Sequence, residues 1–157
     1  MEIPLIERVK IQAQVLVPLV KTLQAELGEE RANTIVRNAL GELYRTYGEK
    51  WWRSQGNRDL GEKIAASFDM FAGGGALKYD VLKKAPDKFE VNVTECAYAK
   101  FYQELGAPEL GFLLTCSPDF PMSAGYGADV QFSRTQTIMQ GASHCGFRYA
   151  LKKAKQP

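Results

Sequence analysis

The sequence is short of the features that mark secreted, membrane-spanning or nucleic-acid-binding proteins. It has three cysteines, an odd number at wide spacing, which argues against a disulfide framework and indicates reduced thiols. No apolar run approaches the roughly 18–20 residues of a membrane span, and the N-terminus lacks the basic-then-apolar order of a signal peptide. A net charge of +2 is too small to indicate a nucleic-acid surface. We therefore expect a cytoplasmic protein with no membrane and no nucleic-acid partner.

The rest of the composition is that of an ordinary folded domain. Hydrophobic residues make up 45% and charged residues 24% of the 157 residues. A chain of this length can form one domain with a real core and is too short for two comfortable ones. We therefore expect residues 1–157 to form a single domain.

The first half of the chain has the period of amphipathic helices. Over residues 29–54 the apolar side chains recur at three- and four-residue steps, which predicts a one-sided helix. An earlier helix is expected over residues 6–27, ended by a glycine and bent near Pro18. Asn57 is the candidate cap of a third helix over residues 58–71.

After the glycine run at 73–75 the pattern changes to alternation. Residues 76–84 and 88–94 predict two antiparallel strands joined by a turn, and residues 130–139 and 144–153 predict a second pair. Short helices are expected between the pairs, at residues 96–105, at residues 108–116 and after a cap at Ser117. This order predicts an α+β domain in which N-terminal helices pack on a roughly four-stranded antiparallel sheet.

Glycines and metal-ligand types occur without the context of a cofactor site. The triple glycine follows a predicted helix and precedes a strand, the reverse of the strand–loop–helix order of phosphate-binding loops. The cysteines and the only histidine make a complete zinc ligand set: Cys96, Cys116, His144 and Cys145. Structural zinc sites usually supply close pairs such as Cys-x-x-Cys, whereas gaps of about 20 and 30 residues separate these cysteines. We therefore expect no metal and no cofactor.

The stretch GASHCGFRY near the C-terminus contains a nucleophile, a base and a cation. Cysteine catalysis needs a thiolate and a base or positive field to lower the thiol pKa, and Cys145, His144 and Arg148 are of these types. In a regular strand, however, His144 and Arg148 face one side and Cys145 faces the other. They line one pocket only if the backbone bulges, for which Gly146 is the candidate. Otherwise Cys145 belongs to the core.

Several segments of the chain resemble one known family. They are residues 92–98 (NVTECAY), Cys116-x-x-Asp119, Arg134-Thr135-Gln136-Thr137 and Gly141-x-x-x-Cys145-x-Phe147-Arg148. Together with the N-terminal segment AELGEERANTIV, they are similar to the L-2-amino-thiazoline-4-carboxylic acid hydrolase family over most of the chain. One position departs from that pattern, because the residue after the last cysteine is commonly aspartate in the family and is Gly146 here.

The resemblance implies a hydrolase that opens a small cyclic amidine-like ring, converting 2-aminothiazoline-4-carboxylate to a carbamoyl cysteine. On this interpretation Cys145 is the candidate nucleophile, His144 the base or acid, and Asp119 a second acid/base or an orienting carboxylate. Arg148 is the candidate anchor for the substrate carboxylate through a bidentate pair, with Arg134 as the alternative. The other residues expected at the substrate site are Thr135, Thr137, Cys116 and Cys96.

Two other functions stay open on the sequence alone. The same pocket can hold a small molecule without turning it over, as a binding or sensing domain, and the absence of aspartate at position 146 favours this alternative. The third function is an enzyme of another reaction type that acts on a small ring. The position of Cys116, Asp119, Cys145 and Arg148 discriminates between them, because convergence on one concave pocket favours an enzyme.

The adjacent Trp51 and Trp52 raise the hypothesis of a homo-oligomer. Because they are neighbours on a predicted helix, we expect one of them to leave the buried stripe. Tryptophan is favoured at interfaces, so an exposed indole here indicates self-association.

Overall fold

The computed structural model describes residues 2–153 and opens with three helices. They are α1 (Leu5–Leu27), α2 (Glu29–Ser54) and α3 (Leu60–Phe71). The predicted helical first half is confirmed, and α1 continues through Pro18. None of the helices within the described residues has the length and hydropathy that a membrane crossing requires.

The start of α3 differs from the prediction. Asn57 does not cap the helix, because Asp59 accepts the backbone N–H of Glu62 at 2.9 Å and the Glu62 side chain accepts the N–H of Asp59 at 3.1 Å. This reciprocal pair is a capping box, which satisfies two N–H groups at once and starts the helix at Leu60.

Four strands form a single antiparallel sheet. They are β1 (Leu77–Ala85), β2 (Lys88–Cys96), β3 (Val130–Ser133) and β4 (Cys145–Leu151), in the spatial order β1-β2-β4-β3. All three neighbouring pairs run antiparallel. The predicted fold class, N-terminal helices packed on a four-stranded antiparallel sheet, is confirmed.

Short helices connect β2 to β3. They are α4 (Ala97–Glu104), α5 (Pro108–Gly111), which continues as a π-helical turn (Phe112–Cys116), and α6 (Asp119–Gly125). Cys96 caps α4, since its sulfur accepts the N–H of Ala99 at 3.4 Å. Asp119 lies in the first turn of α6, as expected, but Ser117 does not cap the helix, because its hydroxyl donates to the carbonyl oxygen of Leu113 at 2.7 Å and the cap position is Pro118.

The predicted strand 130–139 is wrong beyond Ser133. Residues 134–137 leave the sheet, and Ile138–Gln140 form a 3-10 turn. Two side-chain interactions fix this departure: Arg134 reaches back to Asp119, and the Thr137 hydroxyl accepts the N–H of Gln140 at 3.2 Å. The alternation of apolar and polar residues cannot reveal either interaction, so in the sequence the segment looks like one continuous strand.

One face of the sheet carries the core. Phe89, Val91 and Val93 of β2 are buried together with side chains of α3 and α6. A second buried cluster lies between α1, α2, α4 and the π-helical turn. Alternate residues of β2 therefore point towards the helices, which places the inner face of the sheet opposite α2 and α3.

Helices α2 and α6 touch through two glycines. A Cβ atom added at Gly48 of α2 would lie 2.0 Å from the carbonyl oxygen of Met122, and one added at Gly125 of α6 would lie 2.2 Å from that of Arg45. Neither position has room for a methyl group. This contact sets the distance between α2 and α6, and hence the position of Asp119.

Candidate active site

A cavity of about 1080 Å³ lies between the three N-terminal helices, the inner face of the sheet and the segment around α6. Six of the site residues expected from the sequence line it: Cys96, Cys116, Asp119, Arg134, Thr137 and Cys145. Three others, Thr135, His144 and Arg148, are not part of its wall. The structure therefore brings together three thiols, a carboxylate and a guanidinium group from parts of the chain that are distant in sequence.

Asp119 and Arg134 form an ion pair at the floor of the cavity. Nη1 of Arg134 donates to Oδ2 of Asp119 at 2.5 Å, and Nη2 donates to the carbonyl oxygen of Cys116 at 3.1 Å. The Arg134 side chain is only 2% exposed. Its guanidinium carbon also lies 5.2 Å from the ring centre of Phe120 and 5.4 Å from that of Phe147. These contacts hold the Arg134 guanidinium beside Asp119.

The Asp119 carboxylate retains one free oxygen. Oδ1 has no hydrogen-bond partner within residues 2–153. Asp119 lines the cavity, and its side chain is 26% exposed. Burial raises the pKa of Asp119 from 3.8 to about 6, although the neighbouring Arg134 lowers it. A carboxyl group with this pKa exchanges protons near neutral pH, which suits a general acid or base.

Cys145 lies on the inner face of β4, at the floor of the same cavity. Its sulfur accepts the backbone N–H of Ile138 at 3.1 Å. Burial raises the pKa of the thiol, while this N–H and the Arg134 guanidinium lower it and Asp119 raises it. The resting group is thus a thiol, and it needs a base before it can attack a substrate.

The other two cysteines, Cys96 and Cys116, are free thiols whose burial disfavours the thiolate. Burial raises the pKa of Cys96 to about 11 and that of Cys116 well above its usual range. Within residues 2–153 no three histidine, cysteine or acidic side chains are grouped so that they can hold a metal ion. His144, the fourth member of the zinc set considered above, lies outside the wall that the cysteines share.

Strand β4 pairs regularly with β2, and no bulge near Gly146 brings the side chains of Cys145 and Arg148 to the same face of the sheet. Consecutive residues of β4 pair with consecutive residues of β2 from Cys145 opposite Val93 to Ala150 opposite Lys88. Arg148 therefore lies on the outer face, where it donates to the carbonyl oxygen of Val91 and to Oδ1 of Asn92, both at 2.9 Å. The structure does not bring Arg148 and Cys145 together.

His144 is also turned away from the cavity. Its ring nitrogen Nδ1 lies 3.1 Å from the hydroxyl oxygen of Ser143 and 3.3 Å from the amide nitrogen of Gln136. That amide also donates to the backbone oxygen of His144 at 3.0 Å. These contacts stabilise the turn before β4. Thr135, between Arg134 and Gln136, is exposed.

Gly146, which stands where the family described above commonly has aspartate, also belongs to the outer face of the sheet. A Cβ atom at Gly146 would lie 3.5 Å from Nη2 of Arg148 and 3.6 Å from Oδ1 of Asn92. An aspartate there would lie beside the Arg148 guanidinium and on the opposite side of the sheet from Cys145. The departure from the family pattern thus leaves the cavity unchanged.

Six tyrosines line the cavity, and none of them was among the site residues expected from the sequence. They are Tyr44, Tyr47, Tyr98, Tyr102, Tyr126 and Tyr149. Burial raises the pKa of Tyr44 to about 12, so its hydroxyl stays protonated and can donate a hydrogen bond. In the sequence, Tyr47, Tyr98 and Tyr102 have the helical spacing of apolar residues and Tyr149 shares the strand face of Cys145, and both patterns are equally typical of core packing.

Both tryptophans pack against the protein. Trp51 lines the cavity, and Trp52 stacks on Tyr126 with 4.9 Å between ring centres and lies under the Lys63 ammonium group at 4.4 Å. The expectation that one indole leaves the buried stripe is therefore not met. Self-association stays a prediction without this support.

A family model, that of L-2-amino-thiazoline-4-carboxylic acid hydrolase, matches residues 8–149. The chain belongs to this family. The match includes all six cavity residues named above, from Cys96 to Cys145. No curated protein matches the chain. The family name denotes a hydrolase of a small cyclic compound.

Proposed function

We propose that the chain is a hydrolase that opens a 2-aminothiazoline-4-carboxylate-type ring at the floor of this cavity. The observation that carries the proposal is the convergence of Cys145, Asp119 and Arg134 on one cavity in a member of a hydrolase family. A nucleophile, an acid/base and a positioning cation are the groups that such a reaction needs.

In the proposed reaction Asp119 takes the proton of the Cys145 thiol and the thiolate adds to C2 of the protonated ring. The bond between C2 and the ring sulfur or nitrogen then breaks, and the leaving atom takes the proton from Asp119. Water next adds to C2 with loss of its proton to Asp119, and Cys145 leaves with that proton. The sum is one water consumed and one carbamoyl cysteine formed.

Arg134 acts in this scheme as a positioning residue. Its two hydrogen bonds, to Asp119 and to the carbonyl oxygen of Cys116, occupy Oδ2 of the carboxylate and leave Oδ1 available to a ligand in the cavity that Asp119 lines. A protonated amidine is a cation with N–H donors, so Oδ1 is its natural acceptor. The Ile138 N–H, 3.1 Å from the sulfur of Cys145, stabilises the developing thiolate.

The test is turnover of 2-aminothiazoline-4-carboxylate, followed by mass spectrometry of the carbamoyl product. We expect Cys145→Ser to lose at least about 100-fold in turnover while keeping its fold, because a hydroxyl is far less nucleophilic without a strong base. The matched control is Cys96→Ser, which also removes a cavity thiol but leaves a good helix cap on α4, and which we expect to retain at least about a tenth of the turnover.

The same pair of variants tests the alternative of a non-catalytic binding domain, which the raised pKa of the Cys145 thiol favours. A binding domain shows no turnover in any form and binds the ring equally well before and after Cys145→Ser. Full turnover by the Cys145→Ser variant would overturn the assignment of the nucleophile.

A further inference from the structure

The cavity is several times larger than the ring that the family name denotes. Its volume is about 1080 Å³. The 2-aminothiazoline-4-carboxylate ion has roughly nine non-hydrogen atoms, which fill about 270 Å³ even at the ~30 Å³ that a water molecule occupies in the liquid. Pockets of about 300–1,000 Å³ typically bury drug-sized ligands. The ring alone therefore leaves most of this cavity unfilled.

The exposure of the lining residues gives the cavity a direction. At the sheet, Val93 is 2% and Cys145 is 7% exposed, so this end is the floor. At the other end, Ile11 and Val15 of α1 are 58% and 66% exposed. Leu43 of α2 is exposed as well, so the mouth opens at α1 and α2.

The chemistry of the wall changes along this direction. The ion pair, the three thiols and Thr137 belong to the sheet and α6 end. Between them and the mouth the wall is provided by aliphatic and aromatic side chains, among them Leu16, Leu40, Phe68, Phe71 and Leu114. Arg8 and Lys50 add two cations to the lining contributed by α1 and α2. A ligand that fills this space is polar at one end and apolar along most of its length.

We propose that the substrate is amphipathic, with a small amidine-like head at Asp119 and Cys145 and an apolar extension that follows the wall to the mouth between α1 and α2. The identity of the head rests on the proposed function, and the extension rests on the shape and lining of the cavity. The free Oδ1 of Asp119 receives the head, and the exposed apolar side chains of α1 contact the far end of the extension.

The test uses straight-chain alkylamidines from butanamidine to dodecanamidine, which carry the head and have no ring to open. Binding is measured by titration calorimetry. Burying a methylene group is favourable enough to tighten binding about four-fold. We expect affinity to rise by about this factor for each added methylene until the chain reaches the mouth. Affinity that is independent of chain length, or no binding at any length, would overturn the proposal.

Two matched double variants locate the extension. Ile11→Gln with Val15→Gln makes the mouth polar, and Leu19→Gln with Ile35→Gln changes two other exposed apolar residues, one of α1 and one of α2, that do not line the cavity. We expect the mouth variant to weaken dodecanamidine binding about sixteen-fold, as if two methylenes were lost, and to leave butanamidine binding unchanged. The control variant should change neither, and equal effects of both variants would refute the assignment.

Ring-opening assays of 2-aminothiazoline-4-carboxylate separate this inference from the proposed function. Chain-dependent amidine binding without any ring opening removes the reaction and leaves the amphipathic ligand in place. Ring opening with no dependence of amidine affinity on chain length keeps the reaction and overturns the extension.

Discussion

Replacing Asp119 by asparagine should flatten the dependence of stability on pH. The pKa of Asp119 is raised by burial from 3.8 to about 6, so between these pH values the folded protein keeps a proton that the unfolded chain has lost. The free energy of unfolding then falls as pH rises, and it stops falling above about pH 6. At roughly 1.4 kcal/mol for each pKa unit, the whole fall is about 3 kcal/mol.

Asparagine is close in shape to aspartate and does not ionise in this range. Asp119→Asn therefore removes the fall, although it also leaves the Arg134 guanidinium, 2% exposed, without its ion-pair partner. At a single pH, the loss of the titrating carboxyl group and the loss of the ion-pair partner of Arg134 change the free energy of unfolding in opposite directions. The slope between pH 4 and pH 6.5 is consequently the quantity to compare.

The measurement is urea unfolding at several pH values, followed by tryptophan fluorescence. Asp80→Asn is the matched control, because Asp80 is an exposed carboxylate on β1, and we expect it to keep the wild-type slope. A slope in Asp119→Asn as steep as that of the wild type would refute the reasoning. In the ring-opening assay the wild-type rate should rise through about pH 6, as Asp119 loses its proton, and Asp119→Asn should lose about 10²–10⁴-fold.

The remaining predictions concern the outer face of the sheet. Arg148→Lys should leave the KM for the ring unchanged, because the guanidinium contacts Val91 and Asn92 on the side of the sheet opposite Cys145; a KM raised ten-fold in steady-state kinetics would restore Arg148 as the substrate anchor. Gly146→Asp should also leave turnover unchanged and raise the free energy of unfolding by up to about 1 kcal/mol through an ion pair with Arg148. Urea unfolding checks this gain, and altered turnover would contradict the position of residue 146.

The regular elements could be predicted because their signals are local and repeated. The apolar spacing extends over the whole of α2, so the predicted bounds, 29–54, are those of the helix itself. Strand parity also separated Cys145 from Arg148 correctly, since alternation is a property of the strand alone. In both cases the prediction depends on a pattern that repeats among neighbouring residues.

The candidate site was less accessible because its contacts are long-range. Residues 130–139 alternate as a strand does, but the ion pair of Arg134 with Asp119, fifteen positions earlier, and the hydrogen bond of Thr137 to Gln140 accompany the departure of the chain from the sheet. The resemblance to a family supplied Cys116, Asp119 and Arg134 as candidates, but nothing in their spacing indicates that Arg134 also binds the carbonyl oxygen of Cys116. Tyrosines of the wall have the same helical spacing as core residues, so sequence alone does not separate them.

The contact between α2 and α6 bears on which parts of the cavity can change by substitution. Gly48 and Gly125 leave no room for a methyl group, so α6 and the Asp119 at its start are fixed against α2. Ile11 and Val15 belong to α1, where their exposed side chains meet no such constraint. Substitutions at these two positions can therefore change the mouth without moving the floor of the cavity. On the proposed binding mode, such changes would alter the preferred extension while the reacting groups keep their place.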